Sequence, residues 1–219
     1  MHQGGDSGAM SQARLVLASG NAGKLCELRK LLQPLGWQVS PQSDWQVPEA
    51  AETASTFIEN SLIKARHAAK YTGLPAIADD SGLVVPALNG EPGIYSARYA
   101  GDNADDQSNI RKLLTALSPM QGTDRNAYFF CAMVLVQSVD DPAPVLATGR
   151  WHGRILLKEQ GEGGLGYDPV FGIGSGAFEG SLQSAAELLQ SDKSRVSHRG
   201  QALRELVRQL RERDDRIIT

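Results

Sequence analysis

The hydrophobic positions at the start of the chain change from a continuous run to a helical spacing. Residues 14–18 form a short apolar run, which predicts a buried strand that stops at the polar residues 19–21. The leucines that follow recur every three or four residues and predict an amphipathic helix; they are Leu25, Leu28, Leu32 and Leu35. Pro34 and Gly36 end this helix, so the chain opens as a strand, a tight polar loop and a helix.

Three more segments have a helical spacing of apolar residues. A capping-box pattern at residues 56–59 starts the second helix, which closes near Gly73. Asp105 and Asp106 suit the first turn of a third helix, because acidic side chains stabilise a helix N-terminus. A last helix follows Gly200. The three apolar faces are Ile58, Leu62, Ala65 and Ala69; Ile110, Leu113, Leu114 and Leu117; and Leu203, Leu206, Val207 and Leu210.

The remaining apolar segments predict strands. Short strands are predicted at residues 37–40, 75–78, 83–85 and 155–157. A turn at residues 79–82 separates the second of these from the third. The longest apolar run, 127–136, predicts a long strand with a hairpin partner at 145–148. Because helices and strands alternate while one pair forms a hairpin, the predicted fold class is α/β, with a mixed β-sheet flanked by helices.

The domain organisation predicted from the sequence is simple. Residues 1–12 are polar and glycine-rich and are expected to be a disordered leader or an expression remnant. Residues 13–213 are expected to form one domain, since no repeat and no long linker divides them. Residues 214–219 are expected to be a C-terminal tail.

Composition and charge narrow the function classes. The formal net charge is −3, whereas general nucleic-acid binding proteins usually carry a strong basic excess, so no nucleic-acid partner is expected. No run approaches the roughly 20 apolar residues of a membrane span, so no membrane partner is expected. Cys26 and Cys131 lack any motif spacing, which indicates a reducing, cytoplasmic location.

The first candidate site is the polar loop Ser19-Gly20-Asn21-Ala22-Gly23-Lys24, between the first strand and the first helix. Exposed N–H groups and the helix dipole attract phosphate at such a position, and the glycines permit close approach. It is not a Walker A loop, because Leu25 follows the lysine where that motif has Ser or Thr. The alternative is an Asn helix cap beside an ordinary surface lysine.

The second candidate site is Asp79-Asp80-Ser81-Gly82, with its acids at the predicted end of a strand. Adjacent carboxylates repel each other unless a cation or a proton intervenes. Mg²⁺ prefers one or two carboxylates together with water and phosphate oxygens, which makes it the expected cofactor. Glu52, in a polar loop, is a candidate second carboxylate, and Lys64 lies on the polar side of the second helix. The alternatives are a solvated turn and plain surface residues.

Two further segments are candidates for binding a flat ligand. The first is the glycine-rich stretch 163–169, where a purine could rest on Tyr167 while Asp168 accepts from a ring N–H. The second is the basic segment 193–200, where Lys193, His198 and Arg199 could converge on an anion or a base edge. The alternatives are a structural turn and a solvated helix start. His2, His67 and His152 show no metal-ligand pairing and are expected to be structural or exposed.

Together these segments resemble the inosine/xanthosine triphosphate pyrophosphatase family, which removes deaminated purine nucleotides from the nucleotide pool. The resemblance extends from residue 15 to about residue 210. Its motifs are Ser-Gly-Asn-Ala-Gly-Lys at 19–24, Thr-Phe-Ile-Glu-Asn at 56–60, Lys-Ala-Arg-His-Ala at 64–68, Ala-Asp-Asp-Ser-Gly-Leu at 78–83, Pro-Gly-Ile-Tyr-Ser-Ala-Arg-Tyr at 92–99, Gly-Tyr-Asp-Pro at 166–169 and Ser-His-Arg-Gly at 197–200.

The resemblance implies an elongated fold with two lobes around a central nucleotide-binding cleft, and a homodimer. It implies Asp80 as the catalytic acid and a metal ligand, with Glu52 as the second metal contact. The implied substrate-binding residues are Ser19, Gly20, Asn21, Ala22, Gly23, Lys24, Lys64, Ser81, Leu165, Gly166, Tyr167, Asp168, Lys193, His198 and Arg199. Leu165 departs from the aromatic residue common in the family, so it offers an apolar surface without ring stacking.

Two other functions remain open from the sequence. One is a pyrophosphatase for another nucleotide class, such as modified pyrimidine nucleotides, which a substrate panel separates. The other is a regulatory module that binds nucleotide with Mg²⁺ and releases no pyrophosphate. The paired acids favour an enzyme, because a phosphate sensor gains little from Asp79 and Asp80.

Overall fold

A computed structural model describes residues 13–120, 122–174 and 182–213. The expected leader at 1–12 and tail at 214–219 lie outside these residues. The described residues form a seven-stranded mixed sheet. Its strands are β1 (Ala13–Leu17), β2 (Trp37–Pro41), β3 (Ala76–Val84), β4 (Asn126–Val136), β5 (Val145–Ile155), β6 (Phe171–Ile173) and β7 (Gln183–Ser184). The order across the sheet is β2-β1-β3-β4-β5-β6-β7.

The sheet confirms the predicted fold class. Strand β1 pairs in parallel with β2 and β3, while the pairs from β3 to β7 are antiparallel. The predicted hairpin is β4 with β5, and it forms the longest ladder of the sheet. The fold is therefore α/β with a mixed sheet, as the sequence indicated.

The helices of the described residues are α1 (Ala22–Leu32), α2 (Phe57–Thr72), α3 (Asp106–Ala116), α4 (Gln190–Val196) and α5 (His198–Glu212). Polar caps start four of them: the side chains of Asn21, Thr56, Asp105 and Ser197 each accept from a backbone N–H three residues ahead. Gly73, in the left-handed conformation (φ +66°), ends α2, as predicted. Within the described ranges, no helix has the length and apolar character that a membrane crossing requires.

Three buried clusters place the helices on the sheet. Helices α1 and α5 cover one face of the β1–β5 region, and α2 covers the opposite face. A separate cluster beneath α3 joins the far ends of β3, β4 and β5 to β6. The two ends of the sheet thus form two lobes, and β3 to β5 run through both.

The predicted turn at residues 79–82 is wrong, because β3 is continuous from Ala76 to Val84. Strand β4 supplies a partner for every residue of this segment, from Asp79 opposite Met133 to Gly82 opposite Phe130. Gly82 is not a turn residue: a Cβ there would collide with Ser96 and Gly93, so glycine lets a neighbouring segment pack on the strand.

Two other predictions about elements are also wrong. The strand predicted separately at 155–157 does not form: Ile155 is the last residue of β5, and residues 156–157 lie outside any strand. The last helix begins at His198, before Gly200, and the short helix α4 precedes it. Helix α4 has no apolar periodicity that could reveal it, since its sequence is QSDKSRV.

Candidate active site

The candidate site lies where β1 ends beside β3. Their parallel pairing stops at Leu17 opposite Ile77, and the chain then turns through residues 19–21 into α1. Asp79 and Asp80 follow directly on β3, at the point where the strand has lost its parallel neighbour. The acids therefore lie within a strand, yet still at the carboxyl end of β1, where α/β folds place ligands.

Asp79 is buried between two cations. Its Oδ1 lies 2.9 Å from Lys24 Nζ, and its Oδ2 lies 3.3 Å from Arg199 Nε. Burial alone raises the pKa of a carboxyl group, but Lys24 and Arg199 outweigh it and lower the pKa of Asp79 to about 2. Asp79 is thus a permanently ionised anchor that holds the start of α1 and the start of α5 to the sheet.

Asp80 shares one lysine with Glu52. Lys64 Nζ lies 3.2 Å from Asp80 Oδ1 and 2.9 Å from Glu52 Oε1. Burial and the nearby Glu52 raise the pKa of Asp80 despite the opposing effect of Lys64. Burial by itself lowers the pKa of Lys64, because it disfavours the charged form. Asp80 and Glu52 together have a larger opposite effect, so the pKa of Lys64 is raised. The second acid is therefore the more basic of the pair, as a proton-accepting group must be.

Asn60 holds this group together and was missed in the sequence. It is buried on α2, where its side chain acts to lower the pKa of Asp80, and its Oδ1 accepts from Ala54 N at 3.0 Å. The loop that carries Glu52 is thereby fixed near Asp80. A buried asparagine within the Thr-Phe-Ile-Glu-Asn segment was the available signal, although a polar residue at one helical position is weak on its own.

The residues fit a magnesium site of two carboxylates. Asp80 Oδ2 is buried and has no hydrogen-bond partner among the described residues, while Glu52 faces the same lysine. Over the described part of the chain, no group of three His, Cys, Asp or Glu side chains converges. Mg²⁺ needs only one or two carboxylates when water and phosphate supply its remaining ligands, so this pair is sufficient.

A cavity of about 240 Å³ opens beside these charges. Its lining is polar and carries both lysines and carboxylates. It is lined by Ala18, Ser19, Gly20, Lys24, Gln42, Glu49, Ala50, Glu52, Lys64 and Asp79. We call it the charged cavity.

A larger cavity of about 560 Å³ lies on the other side of Lys24. We call it the aromatic cavity. Its lining includes Asn21, Lys24, Ser81, Ser96, Asp106, Phe129, Leu165, Gly166, Tyr167, Asp168, Lys193, His198 and Arg199. Lys24 lines both cavities, so a ligand that spans them must pass beside its side chain.

His198 stands on the floor of the aromatic cavity. Its ring stacks on Phe129 with centroids 4.9 Å apart, and its Nδ1 is buried without a hydrogen-bond partner in the described structure. Burial, with the neighbouring Arg199, lowers the pKa of His198 to about 3. Gly149 on β5 makes this placement possible, because a Cβ there would collide with the backbone of His198. The ring is therefore neutral and offers one donor and one acceptor.

The loop at residues 164–168 forms the opposite wall. Asp168 is buried, and its Oδ2 accepts from Leu165 N at 2.7 Å and from the Lys193 ammonium. The Tyr167 hydroxyl donates to Ser96 O at 2.8 Å, and burial raises its pKa. Leu165 is 77% exposed. Asp168 thus fastens its own loop to α4, while Leu165 remains free to cover a ligand.

The structure brings the sequence-predicted residues into one region with two halves. The loop 19–24 starts at Ser19, whose Oγ accepts from Asn21 N at 3.2 Å, and Ala22 and Gly23 form the first turn of α1. Arg199 Nη2 donates to Ser81 Oγ at 3.2 Å. His67 and His152 each contact an aromatic ring and line neither cavity, whereas His2 lies outside the described residues.

Comparisons with known proteins identify the family that this chain resembles. The model of the Ham1 family matches residues 15–209. A dITP/XTP pyrophosphatase of Idiomarina loihiensis is 55% identical over 205 residues, which cover 92% of this chain and 99% of the relative. One of Shigella flexneri is 52% identical, with 90% and 98% covered. The solved structure of a HAM1 protein from Coxiella burnetii superposes with a TM-score of 0.85 at 48% identity, covering 91% of this chain and 99% of that one.

Proposed function

Because the chain belongs to the Ham1 family, we propose that it hydrolyses deaminated purine nucleoside triphosphates to the monophosphate and pyrophosphate. The substrates are ITP, dITP, XTP and dXTP, and their removal keeps them out of DNA and RNA. The observation that carries the proposal is the pair of cavities that meet at Lys24. One is lined by charges that suit a polyphosphate, and the other by rings and hydrogen-bonding groups that suit a base.

The charged cavity accounts for binding and cleavage of the polyphosphate. Lys24, Lys64 and the N-terminal turn of α1 supply the positive field that anionic phosphates require. Asp80 accepts a proton from the attacking water, since it is the acid with the raised pKa. Asp79 stays ionised and keeps Lys24 and Arg199 in place around the substrate.

A divalent cation belongs to this family's chemistry, and we propose Mg²⁺ held by Glu52 and Asp80. The cation, when bound, neutralises negative charge on the phosphates as the bond breaks. The fit rests on two observations. Asp80 Oδ2 has no hydrogen-bond partner among the described residues, and Lys64 Nζ contacts both carboxylates, which therefore lie close together.

The aromatic cavity accounts for recognition of the base. His198 and Arg199 can donate hydrogen bonds to a purine 6-oxo group, which inosine and xanthosine have and adenine lacks. Lys193, Tyr167 and Leu165 complete the walls. Guanine also has a 6-oxo group, so its exclusion requires a wall that leaves the 2-amino group unsatisfied, at about 1–3 kcal/mol.

One assay tests the proposal directly. ITP, XTP, GTP and ATP are supplied with and without Mg²⁺, and pyrophosphate is measured against orthophosphate. We expect pyrophosphate from ITP and XTP only when Mg²⁺ is present, with much slower turnover of GTP and ATP. Orthophosphate as the main product, or equal rates on all four nucleotides, contradicts the proposal. ITP binding without any release of product supports a regulatory module instead.

A homodimer and a cytoplasmic location are further proposals. The first rests on resemblance to the family alone, and sedimentation of the purified chain tests it. The second is supported by two free cysteines, of which Cys131 is buried and Cys26 exposed. Localisation of the tagged full chain in cells tests the second.

A further inference from the structure

The loop at residues 164–168 turns sharply at its tip and has an attachment to another part of the fold there. Gly164 and Gly166 both have left-handed backbone angles, with φ of +84° and +61°. A Cβ at Gly164 would collide with the Asp168 carboxylate, so the loop wraps closely around that side chain. Leu165, between the two glycines, donates its N–H to Asp168, but its side chain is highly exposed. The position of Leu165 is thus set by how its neighbours are held.

Helix α3 supplies the attachment. Asp106 Oδ2 accepts a hydrogen bond of 2.7 Å from Gly166 N, across 60 positions of sequence. The neighbouring Asp105 has a different task, since its Oδ1 accepts from Ser108 N within the same helix. The two adjacent acids thus have different partners: Asp105 caps α3, and Asp106 accepts a hydrogen bond from the loop.

Helix α3 is itself held in place by hydrogen bonds of a buried side chain. The side chain of Asn109 is buried; its Oδ1 accepts from Ala100 N at 2.8 Å and its Nδ2 donates to Ala97 O at 3.1 Å. This ties α3 to the 3₁₀ segment Gly93–Arg98, which also accepts the Tyr167 hydroxyl at Ser96 O. Helix α3 and this segment form one frame, to which the loop is fastened through Asp106 and through Tyr167.

We propose that Asp106 is a positioning residue for base recognition: by holding Gly166 N it sets where Leu165 and its loop meet the base of the substrate. This inference rests on the proposed function. Asp106 acts through the loop on the aromatic cavity, which it also lines, and it has no contact with the charged cavity. Its removal should therefore weaken binding of the base and leave binding of the phosphates unchanged.

The test uses the full chain with three variants: Asp106→Ala, Asp106→Asn and Asp105→Ala. Loss of a hydrogen bond to a charged acceptor is expected to raise KM for ITP about tenfold in Asp106→Ala, with kcat within about twofold of wild type. Inorganic tripolyphosphate serves as a probe without a base, and its inhibition constant should not change. Asp106→Asn retains a side-chain oxygen for Gly166 N and should restore most of the lost affinity.

Asp105→Ala is the matched control, because it removes the adjacent acid and the helix cap without touching the loop. It should lower the melting temperature while KM for ITP stays at the wild-type value. Binding of IMP, followed by calorimetry, should weaken in Asp106→Ala alone. These results together support a positioning role for Asp106.

Three outcomes overturn the inference alone, and a fourth overturns the proposed function with it. An unchanged KM in Asp106→Ala shows that the loop does not need the contact. An equal loss of tripolyphosphate binding, or the same rise in KM in Asp105→Ala, shows a general structural effect. Wild-type chain that releases no pyrophosphate from ITP overturns the proposed function as well, and so differs from a failure of the inference alone.

Discussion

The two cavities that meet at Lys24 are built from different parts of the fold. The charged cavity takes Asp79, Lys24 and Lys64 from β3, α1 and α2 and Glu52 from the loop before α2, and ion pairs of 2.9 to 3.2 Å fix these side chains to one another or to Asp80. The aromatic cavity takes its walls from a glycine-containing loop and from the junction of α4 and α5. Its contacts include ring stacking and single hydrogen bonds, together with the ion pair of Lys193 and Asp168.

The different construction of the two cavities suits two different tasks, bond cleavage and recognition of the base. Bond cleavage depends on charges held at fixed positions, and regular elements hold side chains more firmly than loops do. Recognition of a base depends on shape and on a few donors and acceptors, which a loop can present. We therefore expect substitutions in the charged cavity to act on kcat and substitutions in the aromatic cavity to act on KM.

The largest effect is expected for Asp80→Asn. It removes the proposed proton acceptor, which is paired with Lys64 beside the charged cavity, and such groups contribute about 10²–10⁴-fold to rate. We expect kcat for ITP to fall at least about 100-fold, while the melting temperature stays close to that of the wild type. Steady-state kinetics and thermal unfolding measure both quantities. Near-normal turnover would remove Asp80 from the proposed role.

A smaller effect on a different parameter is expected for His198→Ala. The variant loses the ring stacked on Phe129 and a hydrogen-bonding group in the aromatic cavity. We expect KM for ITP to rise about tenfold with a lesser change in kcat, since about 1.4 kcal/mol of binding is lost. Kinetics with ITP, and tripolyphosphate inhibition as the control, separate the two halves. A fall in kcat alone would contradict the division of work.

A still smaller effect is expected for Tyr167→Phe. The ring remains in place, but its hydrogen bond to Ser96 O is lost and the loop is fastened less firmly. The net value of a single hydrogen bond is about 0.5–1.5 kcal/mol, and only part of it should reach the substrate, so we expect KM to rise about threefold. Asp106→Ala combined with Tyr167→Phe should raise KM more than either change alone. An effect on tripolyphosphate inhibition would show that the cavities are not independent.

The last prediction is that the protonation of His198 does not change near neutral pH. Because burial and Arg199 lower the pKa of His198 to about 3, its ring should stay neutral from pH 5 to pH 8. NMR of the histidine ring should show no titration in that range, and a midpoint near the ordinary histidine value of 6.5 would contradict the buried placement.

The same shift of the His198 pKa affects stability. In the unfolded chain the histidine takes up a proton below about pH 6.5, whereas in the folded chain it does so only near pH 3. Between these values the unfolded state binds more protons, so the contribution of His198 to the free energy of unfolding is complete above pH 6.5 and falls as the pH decreases. His198→Ala should reduce this part of the pH dependence in denaturant titrations.

The helices α1, α2, α3 and α5 were predictable because local signals agree there. Periodic apolar residues, polar caps such as Asn21 and Thr56, and a terminal Gly73 all act over a few residues. Helix α4 has no apolar spacing and was missed. The turn at 79–82 was predicted wrongly because a strand can hold turn-forming residues when a long-range partner, here β4, pairs with all of them.

The candidate site was predictable where residues belong to motifs, and less so where they act by burial. Lys24, Asp80 and His198 lie in polar segments that attract attention in a sequence. Asn60 and Phe129 look like ordinary residues of a helix and a strand, and only the tertiary structure brings them to Asp80 and His198. The sequence predicts Asp106 as a residue of the first turn of α3. It does not predict the hydrogen bond to Gly166, because a contact across 60 positions leaves no local pattern.

The place where β1 stops beside β3 has a consequence beyond the reaction. Between Ile77, the last residue paired with β1, and Gly82, where the 93–98 segment packs, residues 78–81 border a gap about 13 Å long at the usual rise of a strand. An unpaired edge of this kind can recruit a strand from another molecule and start aggregation, and charged side chains are the usual protection. Asp79 and Asp80 lie on this stretch, paired with Lys24 and Lys64, so the charges of the candidate site also disfavour the addition of a foreign strand.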